Sequence, residues 1–170
     1  ILAKHLAEKY RAQLILLGRS ALTPEKMDEV RKLRDLGSEV LYVQVDLCME
    51  AEVATAIKEA KKKFGNIDGV FHASGIYRNG FILRKAIGDF EEVTAPKISG
   101  VLHLDKALKN ETLQVFMSFS SMAASFGKVG QSDYSYANGF LDSFSLCRQK
   151  LVDSGERYGT TVSVNWPFWE

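Results

Sequence analysis

Leu113-Gln114-Val115-Phe116-Met117-Ser118-Phe119-Ser120-Ser121, followed by Gly130-Gln131-Ser132-Asp133-Tyr134-Ser135-Tyr136-Ala137-Asn138, is an apolar run that ends on paired serines and leads into a helix start. The run predicts a strand over Gln114–Phe119 that delivers the serines, and the second stretch opens a helix over Ser132–Ser154. Tyr134 and Asn138 stand four apart, so on that helix they share one face. A serine, a tyrosine and an asparagine are thereby brought to one strand-to-helix junction, where a carbonyl could be polarised and protonated.

The same alternation extends in both directions. Further strands are predicted over Gln13–Leu17, Glu39–Val45, Gly69–Ala73 and Thr161–Asn165, and further helices near Leu2–Lys9, Pro24–Leu36, Glu50–Phe64 and Asp89–Lys109. Thr23-Pro24 marks a helix start, with a capping hydroxyl and proline at the first helical position. Gly37 and Gly65 stand where helix-ending glycines belong. Short strands alternating with helices predict an α/β fold with a doubly wound parallel sheet, Rossmann-like.

A chain of 170 residues is enough for one domain with a real core. Its formal charge of +1 makes no electrostatic case for nucleic acid or an anionic membrane. Lys61-Lys62-Lys63 is read as a solvated helix end, where cations suit the dipole. Cys48 and Cys147 form no CxxC pair and read as reduced thiols. His5, His72 and His103 lack metal-ligand spacing, and His72 reads as a packed strand residue. No run approaches a membrane span and no signal peptide is seen, so a cytoplasmic location is expected.

The helix Leu2–Lys9 runs straight into a strand. A nucleotide-binding βαβ unit would place a strand and a glycine-rich turn before that helix. Neither is found, so residues 1–170 read as a single partial domain, cut at both ends and lacking its first strand. The missing strand would lie between Gln13–Leu17 and Gly69–Ala73, leaving an expected gap of about 9–10 Å.

Taken singly, the chemical candidates have bland readings. A serine pair after a strand is ordinarily a turn, a helical tyrosine ordinarily packs, and Lys97 would be a solvated helix lysine. Tyr134 as an acid needs help, because a phenol with a pKa of about 10 gives up its proton poorly near pH 7 unless a cation lowers it. A serine hydroxyl would hold the same oxygen. Tyr136 competes with Tyr134, but only Tyr134 has asparagine four residues on.

Serine and tyrosine in this arrangement resemble the short-chain dehydrogenase/reductases. Asn138, where most of that superfamily has lysine, makes the chain similar to the ketoreductase domain of a modular polyketide synthase, in which lysine and asparagine have exchanged places. The family spacing selects Ser121 over Ser118 and Ser120, and Lys97 matches the ketoreductase lysine. The resemblance implies Lys97, Ser121, Tyr134 and Asn138 as the catalytic set, with Asn138 ordering a water or hydrogen-bond chain from Lys97 and Tyr134 to the cofactor ribose. It implies a cofactor site of Arg19, Ser20, Asp46, Ala73, Ser74 and Gly75. Arg19, closing the second strand of the family fold, points to NADPH, its fork suiting the 2′-phosphate. Asp46 matches the adenine contact, or serves as a helix N-cap, or both. No metal is implied.

Gly130-Gln131-Ser132-Asp133-Tyr134, Phe140-Leu141-Asp142 and Val164-Asn165-Trp166-Pro167 extend the likeness. With Phe168-Trp169-Glu170 it points to bacterial assembly lines served by separate acyltransferases. The implied reaction is NADPH-dependent reduction of a β-ketoacyl thioester on an acyl carrier protein, with the other domains of the synthase as further partners. Without the glycine-rich loop the fragment alone is expected to be inactive. The motif that marks one stereochemical class is replaced by Tyr77-Arg78-Asn79, and the tryptophan that tends to mark the other by Phe126; the tilt is toward the second class. A free-standing short-chain reductase and a non-catalytic reductase-like domain are the alternatives.

Overall fold

The computed structural model describes residues 1–167; Phe168-Trp169-Glu170, which entered the likeness above, lie outside the described residues. The chain forms two compact units, one over residues 1–65 and one from Asn66 onward. The fold is α/β with parallel strands, as expected.

The first unit holds α1 (Leu2–Tyr10), β1 (Leu14–Gly18), α2 (Pro24–Asp35), β2 (Val40–Gln44) and α3 (Glu50–Phe64). β1 and β2 pair in parallel from Leu14↔Val40 to Gly18↔Gln44. Ala7, Leu14, Val30, Leu33 and Val40 form a buried cluster, so one apolar side of α1 and of α2 is covered. α2 starts as its sequence dictates: Pro24 takes the first turn, and the Thr23 hydroxyl accepts from the Lys26 N–H at 3.4 Å. Gly37 and Gly65, at φ +90° and +82°, stand just past α2 and α3. The three lysines at the end of α3 are exposed, and Lys63 reaches Glu39 at 3.0 Å.

The second unit holds β3 (Gly69–His72), α4 (Ile87–Ala107), β4 (Val115–Ser121), the short α5 (Ala123–Phe126), α6 (Ser132–Asp153) and β5 (Thr160–Trp166). A 3-10 turn over Ile82–Arg84 interrupts the loop before α4. The sheet runs β3-β4-β5, all parallel. Two boundaries differ from the sequence reading for local reasons. β4 continues through both serines, because Ser120 and Ser121 keep pairing with Asn165 and Trp166; the serines are strand residues rather than a turn. α4 begins at Ile87 because the Asp89 carboxylate reaches back to the Ala86 N–H at 3.3 Å, as a first-turn acid does. α5 was not foreseen; four residues carry no periodicity.

Inside α4, Pro96 removes one backbone donor. The helix persists because it packs along α6 and is held by a buried ion cluster. Arg148 of α6 donates to Asp105 of α4 at 2.8 Å, to the Thr161 hydroxyl of β5 at 2.7 Å and to the Tyr158 carbonyl at 3.1 Å. Its guanidinium lies 4.5 Å from the Phe116 ring centroid, and Arg157 adds a bond to Asp105 at 3.1 Å. Breaking such a cluster leaves a buried charge uncompensated. Asp105→Leu is therefore expected to lower unfolding free energy by about 3–5 kcal/mol in denaturant melts. Asp105→Leu with Arg148→Met should recover much of the loss; no recovery would mean the cluster is not what holds α4 to α6.

Candidate active site

Parallel pairing puts the C-terminal ends of β3 and β4 on one edge, with His72 beside Ser118 and the strand β4 running on to Ser121. In open α/β sheets, ligands bind outside the carboxyl ends of the strands. Lys97 comes to that edge from α4 and Tyr134 and Asn138 from the first turns of α6.

Lys97 is only 4 % exposed. Its Nζ donates to the Phe119 carbonyl at 2.9 Å and lies 5.6 Å from the centre of the Tyr134 ring. Burial pulls its pKa down to about 8, against the opposing attraction of Asp142. A bland solvated lysine is thus excluded. Asp142 is itself fixed by Ser163 at 2.5 Å and Asn165 at 3.1 Å.

Tyr134 is half-buried, and its backbone N–H donates to Asp133 Oδ1 at 2.9 Å. Asn138 is fully buried; its Nδ2 donates to the Tyr134 carbonyl at 2.7 Å, while its Oδ1 finds no protein donor. A buried acceptor of this kind ordinarily meets water or ligand. Ser121 Oγ accepts from the Ala123 N–H at 3.2 Å, which leaves its own O–H to donate elsewhere. Tyr136, the competitor, is exposed and packs near Phe90 at 5.7 Å.

Lys97, Tyr134 and Asn138 are therefore brought together, with Ser121 two residues beyond the Lys97-binding carbonyl on β4. Gly75 belongs to the same cluster: a Cβ there would stand 3.1 Å from Lys97 Cε, so the small residue is what the lysine needs. Ala73 and Ser74 lead into it from β3. Arg19, Ser20 and Asp46 lie in the first unit, just past β1 and β2. Arg19 is exposed, Ser20 accepts from Lys26 Nζ, and Asp46 Oδ1 accepts from the Cys48 N–H at 2.9 Å. Asp46 is not a helix N-cap; Met49 occupies that position, and the Asp46 carboxylate closes a local turn ahead of it.

Two contacts escaped the sequence reading, and the packed His72 it foresaw carries an electrostatic feature it did not. Tyr77 meets Tyr134, hydroxyl to hydroxyl at 3.1 Å, with ring centroids 4.6 Å apart. His72 is buried with neither ring nitrogen hydrogen-bonded, and burial together with the Lys97 charge pushes its pKa down to about 4. It stays neutral beside the lysine near neutral pH. Lys85 and Asp133 form a buried ion pair. The Tyr77 and Lys85 contacts had no spacing signal, because both depend on where the loop after β3 folds. A cavity of about 540 Å³ opens between α5 and α6, lined by Ala123, Gly127, Tyr136, Gly139 and Phe140. None of the four candidate catalytic side chains lines it.

The KR domain model matches residues 1–170 in full. The chain belongs to the KR domain family. This KR domain is 39% identical over 170 residues to polyketide synthase PksN of Bacillus subtilis (strain 168), which covers 99% of this chain and 3% of that protein. Polyketide synthase ThaG of Burkholderia thailandensis is 33% identical over 164 residues, covering 96% of this chain and 3% of that protein. Among solved structures, a ketoreductase domain from the bacillaene assembly line superposes with a TM-score of 0.97 at 39% identity, covering 99% of this chain and 41% of that one. An N-terminal ketoreductase from the macrolactin assembly line gives 0.93 at 41% identity, covering 99% and 34%. The chain spans a small part of its curated relatives, which are far longer polypeptides. Among the described residues no helix is long and apolar enough to cross a membrane.

Proposed function

We propose that this KR domain reduces the β-keto group of an acyl chain held as a thioester on an acyl carrier protein, giving the β-hydroxyacyl thioester. The observation that carries the reading is the buried Lys97 ammonium lying 5.6 Å from the Tyr134 ring, a costly placement that supports a phenol acting as an acid. A reduced nicotinamide dinucleotide, when bound, supplies the hydride. The second unit fits such a group through the close Gly75–Lys97 approach and the unpartnered Asn138 Oδ1; within the first unit, an exposed arginine stands just past β1.

In this reading Ser121 donates to the substrate carbonyl oxygen and draws charge onto it. Tyr134 donates its proton to the same oxygen as charge develops there. Lys97 stabilises the phenolate left behind, and Asn138 holds Tyr134 through its carbonyl while presenting Oδ1 to the proton path. Arg19 and Ser20 would hold the 2′-phosphate of NADPH, Asp46 the adenine, and Ala73, Ser74 and Gly75 the passage under the cofactor. The long synthase relatives support a partner that is a carrier protein of the same assembly line, and the reading places the domain in the cytoplasm.

The test uses the polypeptide that carries this domain, a β-ketoacyl thioester and NADPH, with loss of the reduced-nicotinamide absorbance as the readout. Turnover is expected, and Arg19→Ala should weaken NADPH binding by about ten-fold or more while leaving NADH nearly unchanged, since a charge-assisted bond to phosphate is lost. A folded protein that binds NADPH but turns over no β-ketoacyl thioester would sink the reading; equal effects of Arg19→Ala on both nucleotides would remove Arg19 from the phosphate site.

A further inference from the structure

The loop between β3 and α4 is fastened over the start of α6. The Gly80 N–H donates to the Gly130 carbonyl at 2.9 Å, and Gln131 Nε2 donates to Asn79 Oδ1 at 2.9 Å. Lys85 pairs with Asp133 in a buried ion pair and also donates to the Arg78 carbonyl. Arg78 itself is braced by Glu92 at 2.9 Å and 3.1 Å. These ties fix the segment over residues 78–85, which follows Tyr77 directly. The Tyr77 ring lies over Tyr134 at 4.6 Å, and its hydroxyl meets the Tyr134 hydroxyl at 3.1 Å.

A hydroxyl has one proton to give and two lone pairs to accept with. Tyr134 can hand its proton to a substrate oxygen only if another group is the donor in the Tyr77–Tyr134 bond. We propose that Tyr77 is a second phenol of this site, a positioning residue that donates to the Tyr134 oxygen and steadies the phenolate formed when Tyr134 gives up its proton. The inference rests on the ketoreductase reading for its substrate, not for its geometry.

A bound reduced nicotinamide would supply the hydride for the new C–H bond at the carbonyl carbon, and the carbonyl π pair would move onto oxygen. That oxygen takes the Tyr134 proton as the phenol O–H bond breaks, and the charge left on Tyr134 receives the Tyr77 hydrogen bond. A bond to an ionised oxygen is about twice as strong as one between neutral groups, so the gain appears as the proton leaves. The hydrogen bond to Tyr134 is also the first cause that pushes the Tyr77 pKa up to about 12, which keeps Tyr77 protonated as donor. Of the charged groups near the pair, Lys97 from α4 lies 5.6 Å from the Tyr134 ring centre, the chain neighbours Asp133 and Arg78 are each paired, with Lys85 and Glu92, and His72 beside that lysine is neutral.

Tyr77→Phe keeps the ring against Tyr134, and Tyr77 is 63% exposed, so folding should survive. In the polypeptide that carries the domain, kcat near neutral pH should fall by about five- to ten-fold, and the alkaline limb of the pH profile should move up by about half to one pH unit. Fluorotyrosine placed at position 134 gives a readout that needs no turnover: its fluorine NMR titration should move up by a similar amount in the Tyr77→Phe background. Turnover that falls while both titrations stay put would overturn the proposal, since it would make Tyr77 a mere wall of the site. No change in any readout would overturn it too. A wild type that reduces nothing, with the fluorine titration still moving, would defeat the ketoreductase reading and leave the shared proton standing.

Discussion

Tyr134→Phe is expected to lower kcat for β-ketoacyl thioester reduction by about 10²–10⁴-fold, the range a positioned general acid supplies. The substitution removes one oxygen and keeps the ring that lies beside Lys97 and Tyr77. The thermal midpoint should hardly move, and KM for the thioester should change much less than kcat. That split separates an acid from a packing residue, because an interaction made only in the transition state lowers kcat without weakening substrate binding. Steady-state kinetics beside a melting curve read both quantities; retained turnover would remove Tyr134 from the chemistry. Tyr136→Phe, on an exposed ring, serves as the comparison and should leave kcat within about two-fold.

Lys97→Met should produce opposite effects on stability and activity. Lys97 keeps a pKa of about 8 in the fold against 10.5 outside it, because burial disfavours its charge. Between those two values the unfolded chain binds the proton and the folded chain does not, so stability rises as pH rises through that window. Below about pH 8 both states are protonated and the native state carries the full penalty, on the order of 3 kcal/mol. Methionine removes that charge and loses one bond to the Phe119 carbonyl, worth about 1 kcal/mol. The variant should therefore be more stable near pH 7 by about 1–3 kcal/mol, and the rise between about pH 8 and 10.5 should vanish from its stability profile. Turnover should fall by about 10²-fold or more, since the phenolate loses its cation. Denaturant melts across pH, beside kinetics, would show a residue kept against stability. A variant that is less stable and fully active would reverse the account.

What was legible in the chain was whatever a local pattern encodes. Thr23-Pro24 set the start of α2, Gly65 marked the end of α3, and the apolar runs set the five described strands. Tyr134 and Asn138 could be placed together because helical spacing alone joins them. Lys97 is different: nothing near it says that it is buried, and its match to the family's lysine position was needed before the fold showed Phe119 and Tyr134 around it. Tyr77 was noticed only as a departure from a stereochemical motif. Its contact with Tyr134 spans a long loop whose course depends on Lys85, Asn79 and Gly80 finding partners near the start of α6. Such pairings have no period and cannot be read from spacing. The continuation of β4 through Ser121 was missed for the same reason, being fixed by pairing with β5 rather than by its own residues, and the short α5 because four residues carry no periodicity.

The most direct test of the central claim follows one atom. NADPH carrying deuterium at its transferable position would be given to the polypeptide that holds this domain, with a β-ketoacyl chain on an acyl carrier protein, and the product examined by mass spectrometry. The account predicts a β-hydroxyacyl thioester with one deuterium on the β-carbon, formed by the wild type and nearly absent with Tyr134→Phe. A product without the label, or one formed equally well by both proteins, would contradict it.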